Sequence, residues 1–116
     1  MNKVTLHGRV ARDPEVRTTQ GGQMVARLSI AVDKYSKDGD KKADFVPCIA
    51  WGKTAEFLGK YFAKGKEILA EGHITTGSYV DDEGKKRYTT DVVLDRVEFC
   101  GSKGEAKHDE QDSIPF

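Results

Sequence analysis

From Met24 to Val32 the chain places Met24, Ala26, Leu28, Ile30 and Val32 at every second position, with Arg27 and Ser29 among the residues between them. A period of two is the signature of an extended strand with one buried face, because successive side chains leave a pleated backbone on opposite sides. The same period runs through Asn2–Val10, with Val4, Leu6, Gly8 and Val10 inward and Lys3, Thr5, His7 and Arg9 outward. It returns from Glu67 to Val80, where Ile68, Ala70, Gly72 and Ile74 face in. Asp81–Lys85 is predicted to be a hairpin turn, and Arg87 to Phe99 the returning strand, with Val92 and Leu94 in the core. One stretch breaks the period. Ala55, Leu58 and Phe62 recur at i, i+3 and i+7, Phe57 pairs with Tyr61, and Lys64-Gly65 follows, so Thr54 to Lys64 is predicted as a helix. Turns fall at Arg12-Asp13-Pro14 and Gln20-Gly21-Gly22, and Asp33 to Asp44 is a polar loop.

Phe45 to Trp51 completes the strand set. Its alternation sends Phe45, Pro47, Ile49 and Trp51 to one face and Val46, Cys48 and Ala50 to the other. Pro47 lacks a backbone donor, so it should occupy a sheet edge or a bulge. The order is three strands, one helix and two strands. It predicts an all-β fold, a five-stranded barrel of the oligonucleotide-binding (OB) type with one short helix between strands 3 and 4. Such a barrel binds its ligand on the face of strands 2 and 3 and the flanking loops.

At 116 residues the chain holds one domain, expected over residues 1–100. From residue 101 the composition turns to Gly, Lys, Glu, His and Asp, so residues 101–116 are expected to form a disordered linker and acidic tail. Those last sixteen residues hold two lysines and four acidic residues, net −2, which leaves +2 on residues 1–100 of a chain whose net charge is zero. Charge placement therefore carries more information than the total. No apolar run reaches membrane-spanning length and Met1-Asn2-Lys3-Val4 opens no secretory signal, so the expectation is a cytoplasmic protein with no membrane partner.

Catalytic chemistry finds little support. Gly52-Lys53-Thr54 resembles the end of a phosphate loop, but that loop needs a glycine where Pro47 stands. His7, His73 and His108 share no spacing that would join them into a metal or catalytic set. Cys48 and Cys100 are too few and too far apart for a zinc motif and should stay reduced. No nucleophile elbow or dinucleotide fingerprint is present. The chain is expected not to be an enzyme, with no cofactor and no metal.

The aromatic residues are more informative. Phe45 and Trp51 on one strand face could belong to a strand buried on both sides, or could be platforms on which the bases of a single strand stack. Tyr35 and Tyr79 could likewise cover the barrel edge, or extend those platforms into a track with Arg27, Lys34 and Lys53 nearby. Taken as a group, the four rings favour stacking. The chain ends Asp109-Glu110-Gln111-Asp112-Ser113-Ile114-Pro115-Phe116, an apolar tip on an acidic segment. A partner with an apolar socket and a basic rim would give that tip a purpose; a frayed end that happens to be aromatic is the plainer alternative.

These parts together resemble the bacterial single-stranded DNA-binding proteins. The likeness spans about residues 2–100 and the last five. It rests on Asn2-Lys3-Val4, Asp13-Pro14-Glu15-Val16-Arg17, Trp51-Gly52-Lys53-Thr54-Ala55-Glu56, Tyr61-Phe62-Ala63-Lys64-Gly65, Arg87-Tyr88-Thr89-Thr90 and Asp112-Ser113-Ile114-Pro115-Phe116. The resemblance implies a homotetramer that wraps single-stranded DNA during replication, recombination and repair. It implies stacking at Tyr35, Phe45, Trp51 and Tyr79, and basic contacts at Lys3, Arg17, Lys53 and Lys64. It also implies recruitment of replication and repair proteins by the tip Ile114-Pro115-Phe116, and a nucleoid-associated place in the cytoplasm. The chain departs from the family in having Phe45 and Tyr79 where tryptophan is frequent, Gly77-Ser78 where some members carry a basic pair, and a much shorter linker. Two other classes of function fit the same residues: a protein-interaction adaptor whose active part is the tail, and an RNA-binding barrel.

Overall fold

The computed structural model describes residues 1–35 and 37–100. The elements are β1 (Val4–Val10), β2 (Glu15–Thr18), β3 (Met24–Lys34), β4 (Lys42–Trp51), α1 (Gly52–Tyr61), β5 (Glu67–Val80) and β6 (Lys86–Phe99). They form one sheet in the order β1-β5-β6-β4-β3-β2, and a further pairing of β1 with β3 joins its ends. Arg9 opposite Ala31 and Val10 opposite Ile30 make that joint. The result is a ring of five strands, β1, β5, β6, β4 and β3, with α1 between the third and fourth of them in chain order. The all-β barrel expected from the alternation is the fold observed.

The sixth strand, β2, was not expected from the pattern. Glu15-Val16-Arg17-Thr18 holds a single apolar residue, too little for a period to register, and its extended form comes from pairing with β3, Glu15 against Arg27 through Thr18 against Met24. It lies outside the ring. The helix begins at Gly52 rather than Thr54 and ends at Tyr61 rather than Lys64; Phe62 is already extended (φ −118°, ψ 141°). Phe62 stays in the core all the same, at 4% exposure. The polar loop is also shorter than its composition predicts, because β3 and β4 stay paired as far as Lys34 opposite Lys42. Pro47 sits opposite Ser29 without a shift in register. Since β6 meets β4 only at Cys48 and Ile49, the stretch up to Pro47 has a strand partner on one side alone, which is how the ladder tolerates the proline.

Among the described residues every buried side chain is apolar. Val10, Ala26, Leu28, Ile30, Cys48, Ala50, Ile68, Ala70, Val92, Leu94 and Val97 fill the ring, and Ala55, Leu58 and Phe62 close it from the helix side. Phe57, Tyr61, Phe62 and Phe99 form an aromatic cluster there, with Phe62 and Phe99 stacked at 5.1 Å and Phe57 and Tyr61 at 5.0 Å. Ile74, expected inside, is 43% exposed, because β5 and β6 run on past the ring as a two-stranded arm whose faces are both open to solvent. No described helix is long and apolar enough to cross a membrane.

So small a ring brings its strands close together. A Cβ at Gly8 would strike the Ala31 carbonyl, and one at Gly72 the Val93 carbonyl beside the register shift of β5. At these two positions the missing side chain is what lets the strands close. Gly72→Ala is therefore expected to lower unfolding stability by about 2–3 kcal/mol, the scale of an overpacked core. Gly21→Ala, whose Cβ would meet only the flexible Thr19 hydroxyl, should move it by less than about 0.5 kcal/mol. Urea unfolding of the two variants checks the difference.

Candidate nucleic-acid interface

Ten aromatic residues occur in the chain. Four of them pack in the cluster beneath α1; five others stand in solvent, Tyr35 at 87%, Phe45 at 65%, Trp51 at 41%, Tyr79 at 56% and Tyr88 at 76% exposure. The alternation of β4 could not separate core aromatics from surface ones. The ring does: Cys48 and Ala50 fill the interior while Phe45 and Trp51 lie on the outer face.

Register defines that outer face. Directly opposed residues of paired strands share a face, so Trp51, Val25 and Arg17 form one row across β4, β3 and β2. Ile49, Arg27 and Glu15 form the next, followed by Pro47 with Ser29 and then Phe45 with Ala31. Phe45 and Trp51 lie six residues apart along one strand, about 20 Å at the strand rise, with Arg27 between their rows and Arg17 beside Trp51. Lys53 is exposed in the first turn of α1, two residues after Trp51. An open cleft of about 480 Å³ adjoins this face, lined by residues that include Arg12, Arg27, Ser29, Pro47 and Asp91.

The two arms extend the surface. β4 and β6 run parallel and meet only at Cys48–Val92 and Ile49–Val93. The preceding stretches, Lys42–Pro47 and Lys86–Asp91, therefore leave the ring from the same end. Tyr35 lies just beyond β3 on one arm, and Tyr79 opposite Arg87 on the other. Asp81 anchors the second arm's turn by accepting from the backbone N–H of Glu83 and of Lys85, both at 2.9 Å, and from Arg87 Nε at 2.9 Å. The Lys85 N–H and the Arg87 guanidinium hold the Asp81 carboxyl below its usual range.

The basic residues divide. Arg17, Arg27 and Lys53 fall on or beside the aromatic face. Lys34 lies on the other face of its arm from Phe45 and pairs with Asp44 at 3.4 Å. Lys3 pairs with Glu71 across β1 and β5, away from the aromatic rows. Lys64 is exposed just past α1, its backbone N–H donating to Asp13 Oδ1 at 2.9 Å. Asp112, Ile114, Pro115 and Phe116, with the whole 101–116 segment, lie outside the described residues.

Tyr88 was missed as a candidate. It is opposite Ser78, on the face of its arm away from Tyr79, with Lys86 Nζ 5.5 Å from its ring centroid. Its strand pattern marks it as inward, so only the departure of the arm from the ring exposes it. His7, read as a lone surface histidine, meets Glu67 Oε2 at 2.6 Å with Cys100 close by. His73 meets Asp95 Oδ2 at 3.0 Å.

The single-strand binding protein family matches residues 1–100. The chain belongs to that family. It is 47% identical over 103 residues to a single-stranded DNA-binding protein of Clostridium perfringens, covering 88% of this chain and 67% of that one. The corresponding protein of Fusobacterium nucleatum is 49% identical over 111 residues, covering 92% and 69%. That of Oceanobacillus iheyensis is 40% identical over 106 residues, covering 90% and 66%. The family is one of binding proteins rather than enzymes.

The two thiols differ in reactivity. Burial first, then the Asp91 carboxylate, pushes Cys48 up to about 12, against a smaller opposing contribution from an Ile30 backbone hydrogen bond. Cys100 is raised by partial burial and by Glu67, but it lies at the surface end of β6. Only the thiolate reacts. With an aromatic disulfide reagent at mildly alkaline pH the folded protein should release one equivalent, lost in Cys100→Ser. Cys48 should react only after denaturant is added, and equal rates for both thiols would contradict this.

Proposed function

We propose that this chain binds single-stranded DNA without regard to sequence, on the outer face of β2, β3 and β4 and along the two arms. One observation carries it: the aromatics of β4 and the arms stand in solvent while those near α1 pack together. Every base offers a π-face, so stacking on Phe45, Trp51, Tyr79 and Tyr35 is tolerant of sequence. Arg17, Arg27 and Lys53 lie where phosphates beside those bases would pass. Lys3, Lys34 and Lys64 add to the basic surface, the first two less because Glu71 and Asp44 already neutralise them. The names of the relatives, each a single-stranded DNA-binding protein, support the same reading.

The finer assignments follow from family membership and the sequence. Residues 1–100 form the DNA-binding domain, and residues 101–116 a linker and acidic tail. Asp112, Ile114, Pro115 and Phe116 in that tail recruit replication and repair proteins. The protein acts on strands exposed in replication, recombination and repair, in the cytoplasm at the nucleoid. It assembles as a homotetramer. β1 offers a site for such association, since from Val4 to Gly8 it pairs with β5 on one side and has no described strand partner on the other. Light scattering of the full chain checks the assembly.

Trp51 is the only tryptophan, so its fluorescence should quench as oligo-dT is added at low salt, and no quenching would sink the stacking role. Trp51→Ala should weaken binding by about 1–3 kcal/mol, roughly 5- to 150-fold in Kd, with little loss of folding stability. A residue packed in the core would show the reverse.

Salt dependence separates the cations. Lys53→Ala should flatten the slope of log affinity against log salt by about 0.7 if that lysine neutralises one phosphate. Lys3→Ala should change it by much less, because its charge is already paired. Equal slopes for wild type and Lys53→Ala would remove Lys53 from the interface.

A further inference from the structure

Tyr88 is 76% exposed, and neither the outer face of β4 nor the Tyr79 side of the second arm accounts for it. Register places it. From Val92, which lies in the core, Thr90, Tyr88 and Lys86 keep to the inner side of β6 after it has left the ring, opposite Thr76, Ser78 and Val80 of β5. On the first arm the same alternation carries the inner side of β4 from Cys48 through Val46 to Asp44 and Lys42, opposite Val32 and Lys34 of β3. β4 and β6 are neighbours in the ring and are separate before Cys48 and Val92. These two faces therefore continue the inner wall of the barrel, and they border one open trough between the arms.

We propose that a single strand leaving the aromatic face passes into this trough and stacks a base on Tyr88, an inference that rests on the DNA-binding reading above. The way in is the cleft of about 480 Å³, whose lining joins the two sides of the sheet. Arg27, Ser29 and Pro47 belong to the outer face, Leu28 and Cys48 to the inner one, and Asp91 to the base of the second arm. Arg12 and Arg27 bring two cations to the cleft, while Asp91 and Glu15 turn phosphates away from it and leave it to bases. Within the trough Lys34, Lys42 and Lys86 outnumber Asp44, so its charge suits a polyanion. Lys86 Nζ lies 5.5 Å from the Tyr88 ring centroid, within reach of the phosphate of a base laid on that ring. Val80 and Ile74 are exposed apolar neighbours on the same face. An exposed ring with a cation beside it is the unit from which a single-strand site is built. The platform is also firmly held: β5 and β6 stay paired as far as Val80 opposite Lys86, and Asp81 ties the turn beyond. Little ordering is then left to be done on binding. With Tyr79 on one face and Tyr88 on the other, both sides of the arm serve the strand. A contact with a second copy of this chain is the competing use of such a face, and the test separates the two.

A reporter tryptophan tests this. Trp51 is the only tryptophan, so Trp51→Phe, which keeps a ring at that position, gives a dark background for Tyr88→Trp. Oligo-dT is expected to quench the double variant, with its binding checked independently by the anisotropy of a labelled oligo-dT. In the otherwise native chain, Tyr88→Ala should raise the Kd for oligo-dT about 5-fold or more. Its unfolding midpoint should stay at the wild-type value, because the side chain is exposed. Lys86→Ala should flatten the slope of log affinity against log salt by about 0.7. An unquenched double variant, or an unchanged Kd in Tyr88→Ala, would overturn the proposal. So would a Tyr88→Ala chain whose one change is a smaller assembly in light scattering without DNA, which assigns the face to a second copy. Quenching of Trp51 in the wild-type chain beside an unquenched double variant would leave the β4 face standing and remove the trough alone.

Discussion

The interior of this barrel is too small for its aromatic residues, and much of the molecule follows from that limit. Five strands close only because Gly8 and Gly72 allow backbones to pass at contact distance, and because Ala26, Ala50, Ala70 and Cys48 occupy positions where a larger side chain would hold the strands apart. Close packing leaves no slack in such a core. Rings must therefore go under the helix, where Phe57, Tyr61, Phe62 and Phe99 build a second layer, or to the outside. β4 alternates small inner residues with Phe45 and Trp51 on its outer side, so closing the barrel and displaying the rings are one event.

The same geometry places the cations. β2 adds nothing to the ring, yet it widens the outer face and sets Arg17 in the row of Trp51. The parallel contact between β4 and β6 lasts for two residue pairs. Beyond it the two hairpins separate as arms from one end, carrying Tyr35 and Tyr79 away from the body. An extended polymer with a charge at each repeat is suited to a surface of this shape, in which the rings of β4 lie beside guanidinium groups carried by β3 and β2 and the arms lengthen the path. At the other side of the ring the outer face holds few aromatics, and there His7, Glu67 and Cys100 converge instead.

Much of this was legible in the residues. The alternation of Met24–Val32 and of Glu67–Val80, the helical spacing of Ala55, Leu58 and Phe62, and the Asp81–Lys85 turn are local patterns, and each marked its element, although the helix starts two residues early and stops before Phe62. β2 was not legible because its one apolar residue makes no period; β3 induces it. Ile74 and Tyr88 keep the parity of inward residues but have left the ring, so alternation assigns them a face with nothing to cover it. His7 and Cys100 are separated by most of the chain, and no spacing rule could have joined them.

Sequence by itself determined the five strands of the ring, the helix, the small-residue inner set and the presence of rings and cations beside one another, because these depend on periods of two and 3.6 and on side-chain volume. Tertiary structure alone decided which aromatics meet solvent, which lysines are already paired, and which distant residues share a surface. Those outcomes depend on where the β1–β3 joint closes the sheet and where the arms leave it. Both are set by contacts between residues far apart in the chain, which no local pattern records.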